Sequence, residues 1–505
     1  MKEIKRALIS VYYKDGLAEI VQELSKLGVE ILSTGGTYDF IKSLNIPVKR
    51  VEDLTGYPSI LGGRVKTLHP KVFGGILNRR DIKQDIVETK EYDIPNIDLV
   101  IVDLYPFEEY VKAGASEAEI IEKIDIGGIS LIRAAAKNFN DVVIIPSKDN
   151  YAMLLDLLKG QKGASTLSQR EYFAAQAFLT SSHYDTAIFN FFNLKFNIPV
   201  FAQSQTQAQT LRYGENPHQK GVLYADKDSL PKQLHGKEIS YNNMLDIEAA
   251  IELISDFTEP TVAIIKHNNA CGCSSEQNIL SAWKKALEAD PVSAFGGIII
   301  ANRDIDIDSA KEINKIFFEV IIAPSYTLEA LEILKNKKNR IILEMNNTLL
   351  SQNKFRSLLG GVLVQDRDSY TESAKDLKSV TNTQAKADEI EDLLFANKLV
   401  KHSKSNAIVL VKGKQLLASG IGQTSRVDAL RQAIEKAKSF NFNLEGAVMS
   451  SDAFFPFADC VEIAAAHGIK TVIQPGGSIR DCESIDFCNK NNVAMVTTGI
   501  RHFKH

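Results

Sequence analysis

Short runs of β-branched and other apolar residues, each bounded by turn residues and followed by an amphipathic stretch, recur along almost the whole chain. Ala7–Val11, Val29–Leu32, Leu99–Leu104 and Val142–Ile145 read as buried strands. Gly16–Leu27, Thr37–Leu44, Ile129–Asn138 and Tyr151–Leu158 read as the helices between them. Strands that are apolar on both faces must be covered on both, so the alternation predicts an α/β fold with a mainly parallel sheet. Leu167–Phe192 contains neither Gly nor Pro and closes this region as a helix or helix pair.

The texture then changes. Ala202–Thr210 reads AQSQTQAQT, uncharged and almost free of bulky apolar side chains, which is the composition of a linker. A linker over 198–210 divides the chain into regions 1–197 and 211–505. Beyond it, Thr261–Lys266, Gly297–Ala301, Val320–Ala323, Ala407–Val411, Ala447–Ser450, Thr471–Gln474 and Val493–Thr497 read as strands. Ile279–Leu287, Gln384–Leu399 and Val427–Ala437 read as helices. So many strands in roughly 300 residues predict two packed subdomains. No short fixed-period repeat is visible.

Charge decides what the chain can bind. Its 505 residues carry 59 Lys and Arg against 63 Asp and Glu, a net charge of −4. That balance supplies no global field for a polyanion and argues against nucleic acid as the main partner. An anionic small molecule would have to be met by local cations. Four charged residues within Met1–Ser10 argue against a secretory leader, and no segment approaches the ~18 uninterrupted apolar residues of a membrane span. Five cysteines, a sparse and odd set, fit a reducing compartment. The expectation is a soluble, cytoplasmic protein.

Local motifs supply the chemistry. Ser33-Thr34-Gly35-Gly36-Thr37 lies between a strand and a helix, where paired glycines let the backbone approach an anion and the helix start offers amides. A tight turn capped by Thr37 explains that segment equally well. Leu61-Gly62-Gly63-Arg64-Val65-Lys66-Thr67-Leu68-His69-Pro70 adds two cations and a hydroxyl on a glycine-initiated loop, which suits a phosphate monoester. Lys14 follows the first strand, where α/β ligand crevices open. Tyr105, Asp125 and Lys137 could move protons beside such a pocket, although Asp125 also stands where a helix cap is expected.

Together SV-x-x-K-x-G, STGGT, LGGRVKTLHP, DLYPF, IDIGG and RAAAKN resemble, in order, the IMP cyclohydrolase half of the bifunctional purine biosynthesis proteins. The resemblance implies a methylglyoxal-synthase-like domain that closes the ring of formyl-AICAR to IMP. It puts phosphate and ring contacts on Lys14, Ser33, Thr34, Gly35, Gly36, Thr37, Arg64 and Thr67, and proton transfer on Lys66, Tyr105, Asp125 and Lys137. Two positions depart from the family: Tyr12-Tyr13 replace the usual Ser-Asp, and Asp103 replaces Asn. Both are set outside the site.

The second region opens with Leu211-Arg212-Tyr213-Gly214-Glu215-Asn216-Pro217-His218-Gln219, a turn-rich segment suited either to a polar ligand or to a hydrogen-bonded loop. Lys266-His267 ends a strand before a glycine turn, pairing a proton carrier with a cation. Cys271 and Cys273 do not make a zinc site, because a zinc deaminase needs His-x-Glu and Pro-Cys-x-x-Cys, and neither occurs.

RYGENPHQ, KH-x-N-x-CG, DP-x-SAFGG, EVIIAP, KSNAIV, GQTSRVDA, SSDAFFPF, Gly-Gly-Ser and TGIRHFKH are similar to the AICAR transformylase half of the same family. The resemblance implies two cytidine-deaminase-like subdomains without zinc, in a homodimer with shared sites. It puts nucleotide contacts on Arg212, Tyr213, Gly296, Glu319, Asn406 and Arg426, and contacts to 10-formyltetrahydrofolate on Phe454, Asp459 and Arg501. Lys266 and His267 would be catalytic. AICAR, formyl-AICAR and IMP would be the other small-molecule partners. Ala270 stands where the family has Pro. A non-catalytic nucleotide sensor would keep the phosphate loops and lose the proton-transfer residues, which this chain retains.

Overall fold

The computed structural model describes residues 1–345 and 350–505. The chain divides into two compact units, residues 1–206 and 207–505.

The first unit is built on a five-stranded, wholly parallel sheet in the order Lys49–Arg50, Glu30–Ser33, Arg6–Ser10, Leu99–Val102, Val143–Ile145. Leu8, Ile9, Val100, Ile101 and Ile144 are inaccessible, so helices cover both faces. One of them, Leu17–Lys26, buries Leu17, Ile20, Val21 and Leu24 at helical spacing. The first strand stands in the middle of the sheet, with the chain turning to one side of it and later to the other. Its carboxyl end therefore opens into a crevice of the kind that binds ligands in doubly wound sheets. Leu167–Phe196 is one 30-residue helix rather than a pair, started by a capping box between Thr166 and Gln169.

The division between the units falls within the stretch 198–210 expected to be a linker, parts of which are bonded. Asn190 Nδ2 donates to the Ala202 carbonyl at 3.1 Å, and His183 Nδ1 meets Ser204 Oγ at 3.0 Å. Ala208–Thr210 pairs antiparallel with Val222–Tyr224. Residues 201–207 have no regular secondary structure, and strand pairing begins only at Ala208.

The second unit holds a 12-stranded sheet made of two like halves. In the first, the helix Tyr241–Ile254 leads into the hairpin Thr261–Lys266/Asn269–Ser275, then the helix Ile279–Ala289. The strands Ile298–Ala301, Val320–Ala323 and Ile341–Glu344 follow outward, and Lys232–His235 closes the edge. In the second, Ala387–Lys401 leads into Ile408–Lys412/Gln415–Gly420, then Arg426–Ser439. Val448–Ser451, Thr471–Gln474 and Ala494–Thr497 follow, with Lys378–Ser379 at the edge. Registers agree: Val262 faces Ser274 as Ile408 faces Gly420, and each hairpin shifts register at the same place, after Ile264 and after Leu410. The halves join where Ser274 pairs with Gln415. The two subdomains predicted from strand density are thus a duplication within one continuous sheet. Outside it, Asn353–Leu358 and Gly361–Asp366 form a separate exposed hairpin.

Candidate active sites

In the first unit, the residues singled out from sequence gather where neighbouring parallel strands end. The hydroxyls of the 33–37 turn face inward. Ser33 Oγ donates to the Ile9 carbonyl at 2.7 Å, and Thr34 Oγ1 meets Ser10 Oγ at 3.0 Å. Thr37 Oγ1 donates to the Val11 carbonyl at 2.9 Å and accepts from the Val11 amide at 3.1 Å. All three side chains are buried and lock the turn to the next strand. What the turn offers an anion is the amides of Gly35 and Gly36, which begin the helix Gly35–Ser43 and have no acceptor within it.

Lys66 spans this opening. A β-carbon on Gly63 would stand 2.9 Å from Lys66 Nζ, and one on Gly35 3.8 Å away, so the ammonium lies against both glycine turns. Thr67 Oγ1 is 3.2 Å from where a β-carbon of Gly127 would stand, over the first turn of the helix Gly127–Lys137. Asp125 caps that helix: its Oδ1 accepts from the amides of Gly128 at 2.5 Å and Ile129 at 3.4 Å. The Asp125 amide donates to the Tyr184 hydroxyl at 2.8 Å. Burial pushes the Asp125 carboxyl up against the amides that hold it down. Burial, followed by the Asp125 charge, pushes the Tyr105 phenol up. A carboxyl biased towards its protonated form, with a phenol within reach of its charge, is equipped to give a proton.

Several expectations change. Arg64 is directed to Glu122, forming an ion pair with 67 % of its side chain exposed. Lys14 turns its ammonium onto the carbonyls of Val11 and Tyr12, the latter at 2.9 Å, and burial lowers its pKa. Lys137 ends the 11-residue helix that Gly127 begins, which sets it about 15 Å from that end. It is not part of its own chain's cluster. Conversely, Tyr12 and Asp103 belong to it. Asp103 accepts from the amides of Tyr12 and of Tyr13, the latter at 3.0 Å, and the Tyr12 ring stands edge-on to Tyr105 at 5.8 Å. These neighbours meet across parallel strands, a relation that local spacing does not carry.

In the second unit, His267 and Asn268 form the turn of the first hairpin, both in the left-handed region at φ +52° and +64°. Asp246 holds that turn by accepting from the Asn268 amide at 2.6 Å, and burial pushes the Asp246 carboxyl up. Lys266 Nζ donates to the Phe295 carbonyl at 2.6 Å. Gly296, at φ +72°, lets the chain pass beneath it: a β-carbon there would stand 3.4 Å from Nζ. Phe295 and Phe317 pack beside it with ring centroids 5.2 Å apart, and Glu319 is paired with Lys237 at 2.8 Å.

A second group comes from the second half. Arg426 Nη2 donates to Asp452 Oδ1 at 2.8 Å and to Asn406 Oδ1 at 3.0 Å, and Nη1 donates to the Phe454 carbonyl at 3.2 Å. Arg426 and Asp452 are buried, yet Arg426 Nε and Asp452 Oδ2 have no hydrogen-bond partner. Buried polar atoms left open in this way are suited to a ligand. The groups are linked through Asn269, whose Oδ1 accepts from the Lys404 amide at 3.0 Å. Arg212 stacks on Tyr213 at 5.5 Å in a loop held by Asn242, one turn before Asp246. Phe454 and Arg501 are exposed, Arg501 lying 4.4 Å over Phe503, and Asp459 opens the helix Asp459–Ala466.

Cys271 and Cys273 are buried, and burial pushes the Cys271 thiol up to about 12. Among the described residues, no group of three or more His, Cys, Asp or Glu is placed to hold a metal ion, and no helix is long and apolar enough to cross a membrane.

Comparison with known proteins places these two units in one family. Residues 16–130 match the MGS-like domain, and residues 135–436 match the AICARFT/IMPCHase bienzyme. The bifunctional purine biosynthesis protein PurH of Bacteroides thetaiotaomicron is 63% identical over 504 residues, covering 100% of this chain and 99% of its own. The PurH proteins of Acetivibrio thermocellus and Aquifex aeolicus are 50% and 48% identical, each over 99% of this chain and 100% of their own. A crystal structure of ForH, 36% identical, covers 37% of this chain and 96% of its own with a TM-score of 0.33, too low to bear on the fold. The chain belongs to the AICARFT/IMPCHase bienzyme family.

Proposed function

We propose that the second unit transfers the formyl group of 10-formyltetrahydrofolate to the 5-amino group of AICAR, and that the first unit closes formyl-AICAR to IMP with loss of water. The observation that carries this reading is the pair of hairpin turns in the duplicated sheet. Asp392 accepts from the amides of Gly413 and Lys414, both at 2.7 Å, as Asp246 accepts from Asn268. Lys412 Nζ donates to the Glu445 carbonyl at 2.6 Å, as Lys266 donates to Phe295. Where the second half has Gly413 at φ +58°, the first has His267 at φ +52°. Glycine takes that conformation freely, whereas another residue there costs about 1–3 kcal/mol. An imidazole held at that cost beside Asp246, where the other half has glycine, is suited to carry a proton.

In formyl transfer, the amine nitrogen attacks the formyl carbon while His267 accepts the amine proton; the adduct collapses with cleavage of the bond from the formyl carbon to N10, and tetrahydrofolate leaves with that proton. The Lys266 ammonium steadies the oxyanion. Arg426, Asn406, Arg212, Tyr213, Gly296 and Glu319 form the nucleotide side, and Phe454, Asp459 and Arg501 the folate side. In ring closure, the carboxamide nitrogen attacks the formyl carbon. The formyl oxygen leaves as water with one proton from each of the two reacting nitrogens, relayed through Asp125 and Tyr105, and Lys66 faces the developing charge. The amides of Gly35 and Gly36, with Thr67, take the phosphate.

A cytoplasmic homodimer belongs to the same proposal. The hairpin Asn353–Leu358/Gly361–Asp366 exposes Leu359 by 99%, Leu363 by 58% and Val364 by 49%. A lone two-stranded ladder is marginal in water, and a second copy of the chain would cover these exposed apolar side chains.

Purified full-length chain given AICAR and 10-formyltetrahydrofolate should yield IMP, and without folate it should yield IMP only from supplied formyl-AICAR. Failure of both reactions refutes the reading.

A further inference from the structure

The last residues, Thr498–His505, have no regular secondary structure, yet His502 is only 2% exposed. Its Nδ1 lies 2.6 Å from Asp368 Oδ2 and its Nε2 2.8 Å from Glu372 Oε1. Two ring nitrogens that both face carboxylates must both carry hydrogen, which makes the ring an imidazolium. Burial opposes that charge and the two carboxylates outweigh it, raising the pKa to about 9.

The same segment is bonded to the residues that aim Arg426. The His502 amide donates to the Asp452 carbonyl at 3.1 Å. Two residues later, the Lys504 amide donates to Ser405 Oγ at 3.0 Å, and the Ser405 amide donates to the Lys504 carbonyl at 2.9 Å. Asp452, and Asn406 next to Ser405, are the two side chains that accept from Arg426 Nη2. Arg501 is the immediate neighbour of His502.

We infer that His502 is a positioning residue for formyl transfer. Its imidazolium buckles the terminal segment onto Asp368 and Glu372, and the buckled segment fixes Asp452 and Ser405–Asn406, hence the direction of Arg426. This rests on the reading of the Arg426 group as the nucleotide side of the site. No residue of the first unit takes part, so ring closure provides an internal control in the same molecule.

The test is the steady-state kinetics of both partial reactions with full-length His502→Gln and Glu372→Gln. Loss of the cation in His502→Gln should raise the KM for AICAR at least tenfold, with a smaller fall in kcat. Glu372→Gln, which leaves Asp368 to hold the ring, should raise the KM about two- to fivefold, and it answers the question if His502→Gln fails to fold. Cyclisation of supplied formyl-AICAR should be unchanged in both. A merely structural role would lower the active fraction, and so kcat, at unchanged KM; that result overturns the inference. Arg426→Gln separates the two levels. If it raises the KM while the other variants do not, the inference about His502 fails and the site reading stands. If it too leaves the KM unchanged, both fall.

Discussion

At the scale of single residues, glycine and left-handed positions decide what each loop can be. Gly63 sits at φ +92° with the Lys66 side chain folded over it, so a methyl group there would meet Lys66 Cε at 2.8 Å. Gly63→Ala should displace the ammonium and strain the loop, lowering cyclisation by tenfold or more while formyl transfer is untouched; parallel assays of the two reactions check this. His267→Gly puts into the first hairpin what the second already has at Gly413. Thermal unfolding should show stability unchanged or raised by up to about 2 kcal/mol, the strain relieved less the backbone entropy of glycine. The reactive residue types were legible in the sequence because chemistry demands them wherever they fall. What they touch was not. Ser33 and Thr37 spend their hydroxyls on the neighbouring strand, and Arg64 is paired with Glu122, a residue 58 positions away.

At the scale of elements, one carboxylate both starts a helix and belongs to a site. Asn caps helices about as well as Asp, so Asp125→Asn separates the two roles. Calorimetry should find stability within about 1 kcal/mol of the parent, while cyclisation falls by ~10²-fold or more. The terminal segment makes a second prediction. His502 has a folded pKa near 9 against about 6.5 unfolded. Its contribution to stability is therefore complete below about pH 6.5 and is lost as pH rises through 9. Asp368 and Glu372 face the ring directly, and Lys401 and His402 act on Asp368. The melting temperature should decline between pH 7 and 10, and His502→Gln should flatten that decline; an equal slope in both proteins would contradict the assignment. Buried β-branched runs are legible as strands in the sequence: Thr261–Lys266, Val320–Ala323 and Thr471–Gln474 have the expected bounds. Asn269–Ser275 is not legible as a strand because NACGCSS has the composition of a turn and becomes a strand only by pairing on both sides.

At the scale of the whole molecule, the sequence revealed two regions but not the duplication in the second. Equivalent places carry different residues: Lys-His-Asn at one turn and Lys-Gly-Lys at the other, Asn302 after one strand and Asp452 after its counterpart. Asn302 is occupied by the Thr261 amide and by the carbonyls of Phe257 and Glu259, whereas Asp452 meets the buried guanidinium of Arg426. One end of the duplicated sheet is closed by backbone bonds and the other keeps open polar atoms, an asymmetry that sequence similarity between the halves would hide rather than reveal. The division into units carries its own expectation: a fragment of residues 1–206, which retains the Ser204 and Ala202 bonds to the long helix, should fold and cyclise formyl-AICAR without folate. Sedimentation velocity and an IMP assay on the fragment check this.

The central claim, two chemistries in two units of one chain, is tested most directly by measuring both partial reactions in two full-length variants, His267→Gly and Lys66→Met. His267→Gly should lose formyl transfer by ~10²–10⁴-fold and convert supplied formyl-AICAR to IMP at the parent rate. Lys66→Met should still make formyl-AICAR from AICAR at the parent rate, which then accumulates because ring closure has failed. If either folded variant loses both reactions together, or if His267→Gly keeps formyl transfer within about threefold of the parent, well short of a general base's contribution, the assignment of separate sites is wrong.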